Sequence, residues 1–292
     1  IHTVADMAMA KLTVALGVKE GGTVWLNADC IVLMEAWKRL CLAHPERNWH
    51  MALFSSQQQA NMTLFVENGW IVHKDCGRIV RVVDIPLTLG GRAQYNIENA
   101  MVAIGLALSM GGDLDAIREG VCRLVPTMND SRGRSNWLRY KDADVFLDFA
   151  HNPDGIRRVV EMGVQWQAER KGIVLGQAGD RTDAEILGIG YQAAILEADA
   201  YFLKELPDHA YGRDPSEVVK LLAQALMEKG VHENQLFFAN SDLEGAEQAM
   251  DWVEPNDLLI LLSHEQLDDV TQMVLQRGCT WGHLSSTEEP LN

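Results

Sequence analysis

The chain has 292 residues, 47% of them hydrophobic, with 41 acidic against 25 basic side chains and a formal charge of −16. That describes a globular protein of about two domains, and the charge opposes binding to a nucleic acid backbone. Its five cysteines (Cys30, Cys41, Cys76, Cys122 and Cys279) form no C-x-x-C pair and are odd in number, so they indicate neither a metal site nor a disulfide framework; without a long apolar span or a signal-peptide pattern, the expectation is a cytoplasmic protein that does not engage a membrane.

Val4, Met7, Ala8 and Leu12 recur at helical spacing, and Gly21-Gly22 closes that helix before a strand at Thr23–Leu26. Ile1–Lys11 already reads as helix, so the sequence is expected to be a segment of something longer. Asn27-Ala28-Asp29 follows the strand, and Ile31–Leu42 is a second helix, broken at Pro45. Met51–Ser55, Met62–Glu67 and Trp70–His73 read as strands. Asn68-Gly69 joins the last two and supplies the positive φ values of a two-residue hairpin turn. Arg78–Leu89 continues in strand chemistry. Gly90-Gly91 leads into a helix from about Asn96 to Met110, and a shorter one spans Leu114–Leu124.

Val125–Ser135, with Pro126, Asn129, Asp130, Ser131 and Gly133, has loop chemistry and is the expected hinge between domains at 1–128 and 129–292. Beyond it, apolar strands at Val145–Phe149, Gly172–Leu175, Ala200–Leu203, Gln235–Phe238 and Leu258–Leu262 alternate with helices. Those helices begin near Pro153, Asp183, Pro215, Asp242 and Glu265. Alternation with uniformly apolar strands implies an α/β fold, a Rossmann-like, mostly parallel sheet covered on both faces.

The run Asp148-Phe149-Ala150-His151-Asn152-Pro153 places a carboxylate, an imidazole and a carboxamide at a strand-to-helix turn. In an open α/β sheet such turns lie where ligands bind. A plain helix cap with a surface His is the competing reading. Asp148 and His151 are both expected outside the core. Asn96 and Asn99, three apart after Gly90-Gly91-Arg92-Ala93-Gln94-Tyr95, share a helix face. Asn96 alone would be an ordinary N-cap, but a carboxamide also suits the edge of a purine. Arg134 stands in Arg132-Gly133-Arg134-Ser135-Asn136, and Gly176-Gln177-Ala178-Gly179-Asp180-Arg181 follows a strand and opens a helix. That glycine turn reads either as an anion nest or, more simply, as a βα connection.

Together these runs resemble the Mur ligase superfamily of ATP-dependent amide ligases: D-x-A-H-N-P, the double-Asn motif in its G-G-R-A form, P-G-R-x-N with its Pro lost, and G-x-x-G-D-R-x-D. The G-G-R-A and G-D-R variants are closest to the ligase half of cyanophycin synthetases. Leu26-Asn27-Ala28-Asp29-Cys30 is similar to L-N-A-D-D, with Cys for the last Asp, and Tyr95 replaces the usual His. The resemblance implies that Asn96 and Asn99 contact adenine, Arg134 reaches the nucleotide, and Asp148 takes the ribose hydroxyls. It places His151 near the phosphates as the catalytic candidate, with Asn152 lining the same pocket. Asp180, Arg181, Lys204 and Arg213 would face an amino-acid or peptide substrate. The implied cofactors are ATP and Mg2+.

No G-x-x-x-x-G-K-[ST] or shorter G-K-[ST] occurs. The family carries this phosphate loop early in its central domain, and tight ATP binding needs it. The chain is therefore expected to be the C-terminal half of a central ATPase domain, with its antiparallel hairpin, followed by the C-terminal Rossmann-like domain. The parent would join a carboxylate to an amine through an acyl phosphate. A noncatalytic Mur-ligase-like fragment or paralogue acting as a binding module is the alternative. A generic dinucleotide enzyme is disfavoured because no G-x-G-x-x-G follows a strand. Whether the chain forms a homo-oligomer stays open.

Overall fold

The computed structural model describes residues 3–57, 59–128 and 131–282. Ile1, where the first helix was expected to begin, and Asn129 and Asp130 of the expected hinge lie outside the described residues. The chain divides into two compact units, one ending at Leu124 and the next beginning at Val125.

In the first unit, α1 (Val4–Leu12) opens on a capping box, in which the Thr3 hydroxyl accepts the Asp6 N–H and the Asp6 carboxylate accepts the Thr3 N–H. β1 (Thr23–Asn27), α2 (Ile31–Ala43) and β2 (His50–Ser55) form a parallel βαβ unit. β3 (Leu64–Glu67) joins β2 in parallel, and β4 (Trp70–His73) and β5 (Gly77–Arg81) follow antiparallel. The expected hairpin is present: Asn68 and Gly69 carry φ of 48° and 75°. The strand expected to run to Leu89 stops at Arg81. Two 3-10 turns, Val82–Asp84 and Pro86–Thr88, replace it. Pro86 has no N–H for a ladder, and the Thr88 hydroxyl donates to the carbonyls of Val82 and Ile85 at 2.7 and 2.8 Å. α3 (Gln94–Ser109) and α4 (Leu114–Arg123) complete the unit. Neighbouring β1 residues serve different clusters, Leu26 with Leu12, Trp37 and Leu40, and Trp25 with Met101 and Ile104. α3 packs closely on β1, since a Cβ on Gly105 would stand 2.7 Å from the Trp25 ring.

The second unit runs β6 (Asn136–Tyr140), β7 (Ala143–Asp148), α5 (Pro153–Val164), β8 (Lys171–Leu175), α6 (Asp183–Ala194), β9 (Ala200–Lys204) and α7 (Pro215–Glu228). It continues with β10 (Leu236–Ala239), α8 (Asp242–Trp252), β11 (Leu258–Leu262), α9 (Leu267–Gln276) and β12 (Thr280–Trp281). The sheet order is β10-β9-β8-β11-β7-β6-β12, parallel from β10 to β7. β6 pairs antiparallel with β7 through Lys141 and Asp142, whose φ values are 49° and 64°. That hairpin escapes sequence reading because neither turn residue is Gly or Asn. α8 and α9 supply Ala246, Met250, Val270 and Val274 to one core with Val145, Leu147, Leu259 and Leu261. Ile260, of opposite parity, meets α5 instead, 2.8 Å from where a Cβ on Gly163 would sit.

Leu262 stands beside Asp148, Leu261 beside Val174, and Leu175 beside Leu203. The carboxyl ends of β7, β11, β8 and β9 therefore lie side by side. From β8 the chain proceeds outward to β9, whereas from β11 it proceeds the other way to β12. Where connections diverge like this, an open α/β sheet forms its ligand crevice.

Candidate functional site

The loops after β7, β8 and β11 meet at this divergence. Asp148 ends β7 and is buried, with 7% of its surface exposed. Its carboxylate accepts the Ser135 N–H at 2.7 Å, the Ser135 hydroxyl at 3.3 Å and the Ala150 N–H at 2.8 Å. The expectation that Asp148 stands outside the core is thus corrected. It holds Ser135 in the left-handed region, φ 52°, and ties the entry of β6 to the exit of β7. Burial raises its carboxyl above the usual range, opposed by those N–H donors and by the Arg134 charge. Asn152 caps α5, with Oδ1 accepting the Gly155 N–H at 2.8 Å, and Pro153 takes the first helical position. The cap reading therefore holds for Asn152.

His151 is half-buried, and its Nδ1 lies 3.0 Å from the Phe149 carbonyl. Arg134 is exposed and lies over the Phe149 ring, 5.1 Å from its centroid. Two residues that sequence reading passed over complete the turn. Gln177 Nε2 donates to the His151 carbonyl at 2.6 Å, and His264 Nε2 lies 3.1 Å from the Ala150 carbonyl. The signal for His264 was a polar Ser263-His264-Glu265 directly after five apolar residues. For Gln177 it was a lone carboxamide inside the glycine turn.

Lys204, expected to face substrate, is fully buried. Its ammonium donates to the Asp242 carboxylate and the Leu262 carbonyl. Asp242, the first residue of α8, also accepts the Ser263 hydroxyl at 3.0 Å and the N–H groups of His264 at 2.7 Å and Gln266 at 3.1 Å. Four donors hold that carboxylate below its usual range despite its burial, while burial pulls the Lys204 ammonium down against the Asp242 charge and hydrogen bond that favour its proton. The Lys204 stem runs between Gly176 and Gly245, where added Cβ atoms would stand 2.8 and 3.1 Å away. Burial and the Lys204 charge push His264 down to about 3. The residue as a whole is half-buried, yet its Nδ1 is sealed from solvent with no hydrogen-bond partner.

The Gly176–Gly179 turn is a βα connection and not an anion nest. Gly179 N–H donates to the His209 carbonyl at 2.8 Å. The N-terminus of α6 is closed by Thr182 and the Glu185 carboxylate. Asp180 and Arg181 are exposed and 3.5 Å apart. Arg213 pairs with Asp183 at 2.8 Å, while its second terminal nitrogen is buried without a hydrogen-bond partner. Close by in the fold, Glu265 accepts the His209 N–H at 2.6 Å.

In the first unit, Leu89, Gly90 and Gly91 all have positive φ, 53°, 68° and 92°. This turn delivers the chain into α3, whose N-cap is Ala93. Asn96 is therefore not a cap but a buried residue of the first turn. Its Nδ2 donates to the Leu87 carbonyl at 2.8 Å, and its Oδ1 accepts the Asn99 Nδ2 at 3.2 Å. Asn99 is exposed, with its carboxamide oriented by Asn96.

The second unit is thus an open, mostly parallel α/β sheet with a fixed, polar turn at its switch point, the place where sheets of this class bind ligands. Residues 133–264 match the family described as Mur ligase, glutamate ligase domain, and the second unit is a Mur ligase C-terminal domain. The chain is 30% identical over 270 residues to the cyanophycin synthetase of Crocosphaera subtropica, covering 89% of this chain and 30% of that protein. To the cyanophycin synthetase of Geminocystis herdmanii it is 30% identical over 242 residues, covering 78% of this chain and 26% of the relative. It thus spans less than a third of the length of these curated relatives. Among solved structures, E. coli FolC in complex with DHPP and ADP superposes with a TM-score of 0.65 at 13% identity, covering 94% of this chain and 57% of FolC. That likeness is one of fold. Among the described residues, no helix is long and apolar enough to cross a membrane.

Proposed function

We propose that these residues work within an ATP-dependent carboxylate–amine ligase of the cyanophycin synthetase kind, acting on amino-acid or peptide substrates. The observation that carries this reading is the Asp148–Asn152 turn, held at the sheet's switch point inside a Mur ligase C-terminal domain. ATP, when bound, would supply the phosphoryl group that converts a carboxylate into an acyl phosphate with release of ADP; an amine attacking the acyl carbon then displaces inorganic phosphate and loses a proton to give the amide. Relatives named as cyanophycin synthetases favour this over a noncatalytic binding module.

In this reading Asn99 meets adenine, held by Asn96 behind it. Arg134 offers a charged fork to phosphate oxygens. Asp148 accepts a ribose hydroxyl where the Ser135 hydroxyl, its longest contact at 3.3 Å, can rotate away. His151 stands by the phosphates, and Asn152 lines the pocket while capping α5. Such a site acts by positioning and electrostatics, since none of these groups must exchange a proton with substrate. The buried nitrogens of His264 and Arg213 that lack partners fit a site completed by polar ligand groups. Asp180, Arg181 and Arg213 form the substrate side, and Lys204 supports it from beneath. Mg2+ is expected to arrive with the nucleotide. Among the described residues no cluster of three or more His, Cys, Asp or Glu is placed to hold it.

Titrating ADP into the isotope-labelled chain, with amide NMR signals as readout, tests the reading. At millimolar nucleotide, signals of Ser135, Ala150 and His151 should move. Shifts confined to other residues, or none, would overturn it.

A further inference from the structure

Three successive carbonyls of the Asp148–Asn152 turn are each met by a side-chain nitrogen from a different place. His151 Nδ1 faces the Phe149 oxygen at 3.0 Å, His264 Nε2 the Ala150 oxygen at 3.1 Å, and Gln177 Nε2 the His151 oxygen at 2.6 Å. A carbonyl can only accept, so each nitrogen must carry hydrogen. This sets both imidazoles. Neutral His264 is protonated on Nε2, with Nδ1 bare, and neutral His151 is protonated on Nδ1, which leaves Nε2 as its free lone pair.

Neither outside donor is loosely held. Gln177 is buried, and its Oε1 accepts the Ala178 N–H at 2.6 Å, which fixes which end of the carboxamide faces the turn. His264 follows a strand end pinned by Lys204 on the Leu262 carbonyl and by Asp242 on the Ser263, His264 and Gln266 donors. β8 and β11, which deliver the two residues, are the strands at the switch point.

We infer that Gln177 and His264 are positioning residues: by holding the His151 and Ala150 carbonyls they keep the turn in the one conformation that presents His151 with Nδ1–H inward and Nε2 as acceptor. What His151 then does rests on the proposed function; its tautomer does not. Without either donor, the turn would pay for an unpartnered carbonyl unless it rotated toward water. Rotation would release the Phe149 oxygen from His151, and the ring would revert to the mixture dominated by Nε2–H that free imidazoles adopt.

The test is long-range 1H–15N NMR of the histidine rings in the full chain above the imidazole titration range, with His151 assigned through His151→Gln. Wild type should show His151 as the Nδ1–H tautomer. Gln177→Leu and His264→Leu should shift it to the Nε2–H-dominated mixture, and His264→Gln, whose carboxamide nitrogen reaches where Nε2 was, should restore it. Should His264→Leu fail to fold, Gln177→Leu decides alone. A wild-type His151 without Nδ1–H, or an unchanged tautomer in a folded leucine variant, overturns the inference. Millimolar ADP separates the two readings: the expected tautomers with ADP shifts confined to residues outside the turn would leave the positioning intact and sink the ligase assignment.

Discussion

At the scale of single residues, Asp148 and His264 matter most, because both are ionisable groups enclosed by backbone. Asp148→Ala removes the acceptor of two backbone N–H groups and strands them in a buried place. Each stranded donor costs about 1–3 kcal/mol, so thermal unfolding should shift down by several degrees even without nucleotide. An unchanged melting temperature would mean that Ser135 and Ala150 find other partners. His264 makes stability depend on pH with a definite sign. Its folded value, about 3, lies below its ordinary 6.5 because of burial and Lys204; Asp242 pulls the other way and His151 adds to the depression. The unfolded chain therefore binds the extra proton first. The contribution of neutral His264 is complete above pH 6.5 and declines as pH falls toward 3, by up to about 1.4 kcal/mol per pH unit. Denaturant titrations between those limits should be less steep in pH for His264→Gln than for wild type. Parallel slopes would show that the imidazole is not what is titrating.

At the scale of elements, the βα connections carry the site, and they are stiff. Asn152 caps α5 in addition to any contact with ligand. Asn152→Ala should cost about 1 kcal/mol of stability, and Asn152→Asp or Asn152→Ser should recover most of it, by calorimetric melting. A loss of nucleotide response with no loss of stability would mean that the cap is not what the residue contributes. Gly179 is required by close approach, since a Cβ there would stand 2.1 Å from the Ala210 carbonyl oxygen. Gly179→Ala must push the loop after β8 away from the one after β9. That overpacking is worth roughly 1–3 kcal/mol and should disturb the NMR signals of Arg213 and His209 first. A silent substitution would show that the two loops part freely.

At the scale of the whole molecule, the division at Leu124 and Val125 separates two sheets with their own apolar cores. Asn136 ties the beginning of the second unit to itself. Its Nδ2 donates to the Pro126 and Ser131 carbonyls at 2.8 and 2.9 Å, and its Oδ1 accepts the Gly133 N–H at 2.7 Å. A durable piece should therefore begin near Val125, not near Asn136. Limited proteolysis with mass analysis should yield that start in wild type, and Asn136→Ala should move the first cut to between Pro126 and Gly133. Cleavage within that stretch in wild type would count against the anchoring.

The sequence by itself determined the α/β class, the order of nearly every element, the Asn68-Gly69 hairpin and the two motif-bearing turns. These follow from local chemistry: apolar period, the φ freedom of Gly and Asn, and the caps at Thr182, Asn152 and Ser241. The β6–β7 hairpin was hidden because Lys141 and Asp142 take left-handed conformations without a residue that announces them. Only the tertiary structure decided that β11 inserts between β8 and β7, pairing Leu258 with Lys171 on one side and with Asp144 on the other, contacts between distant segments that leave no periodic trace in the chain. That insertion brings His264 to Ala150 and encloses Asp148. It also brings the Leu262 carbonyl within reach of Lys204, which with Asp242 at the start of α8 turns that residue from a substrate-facing candidate into a buried ion-pair partner.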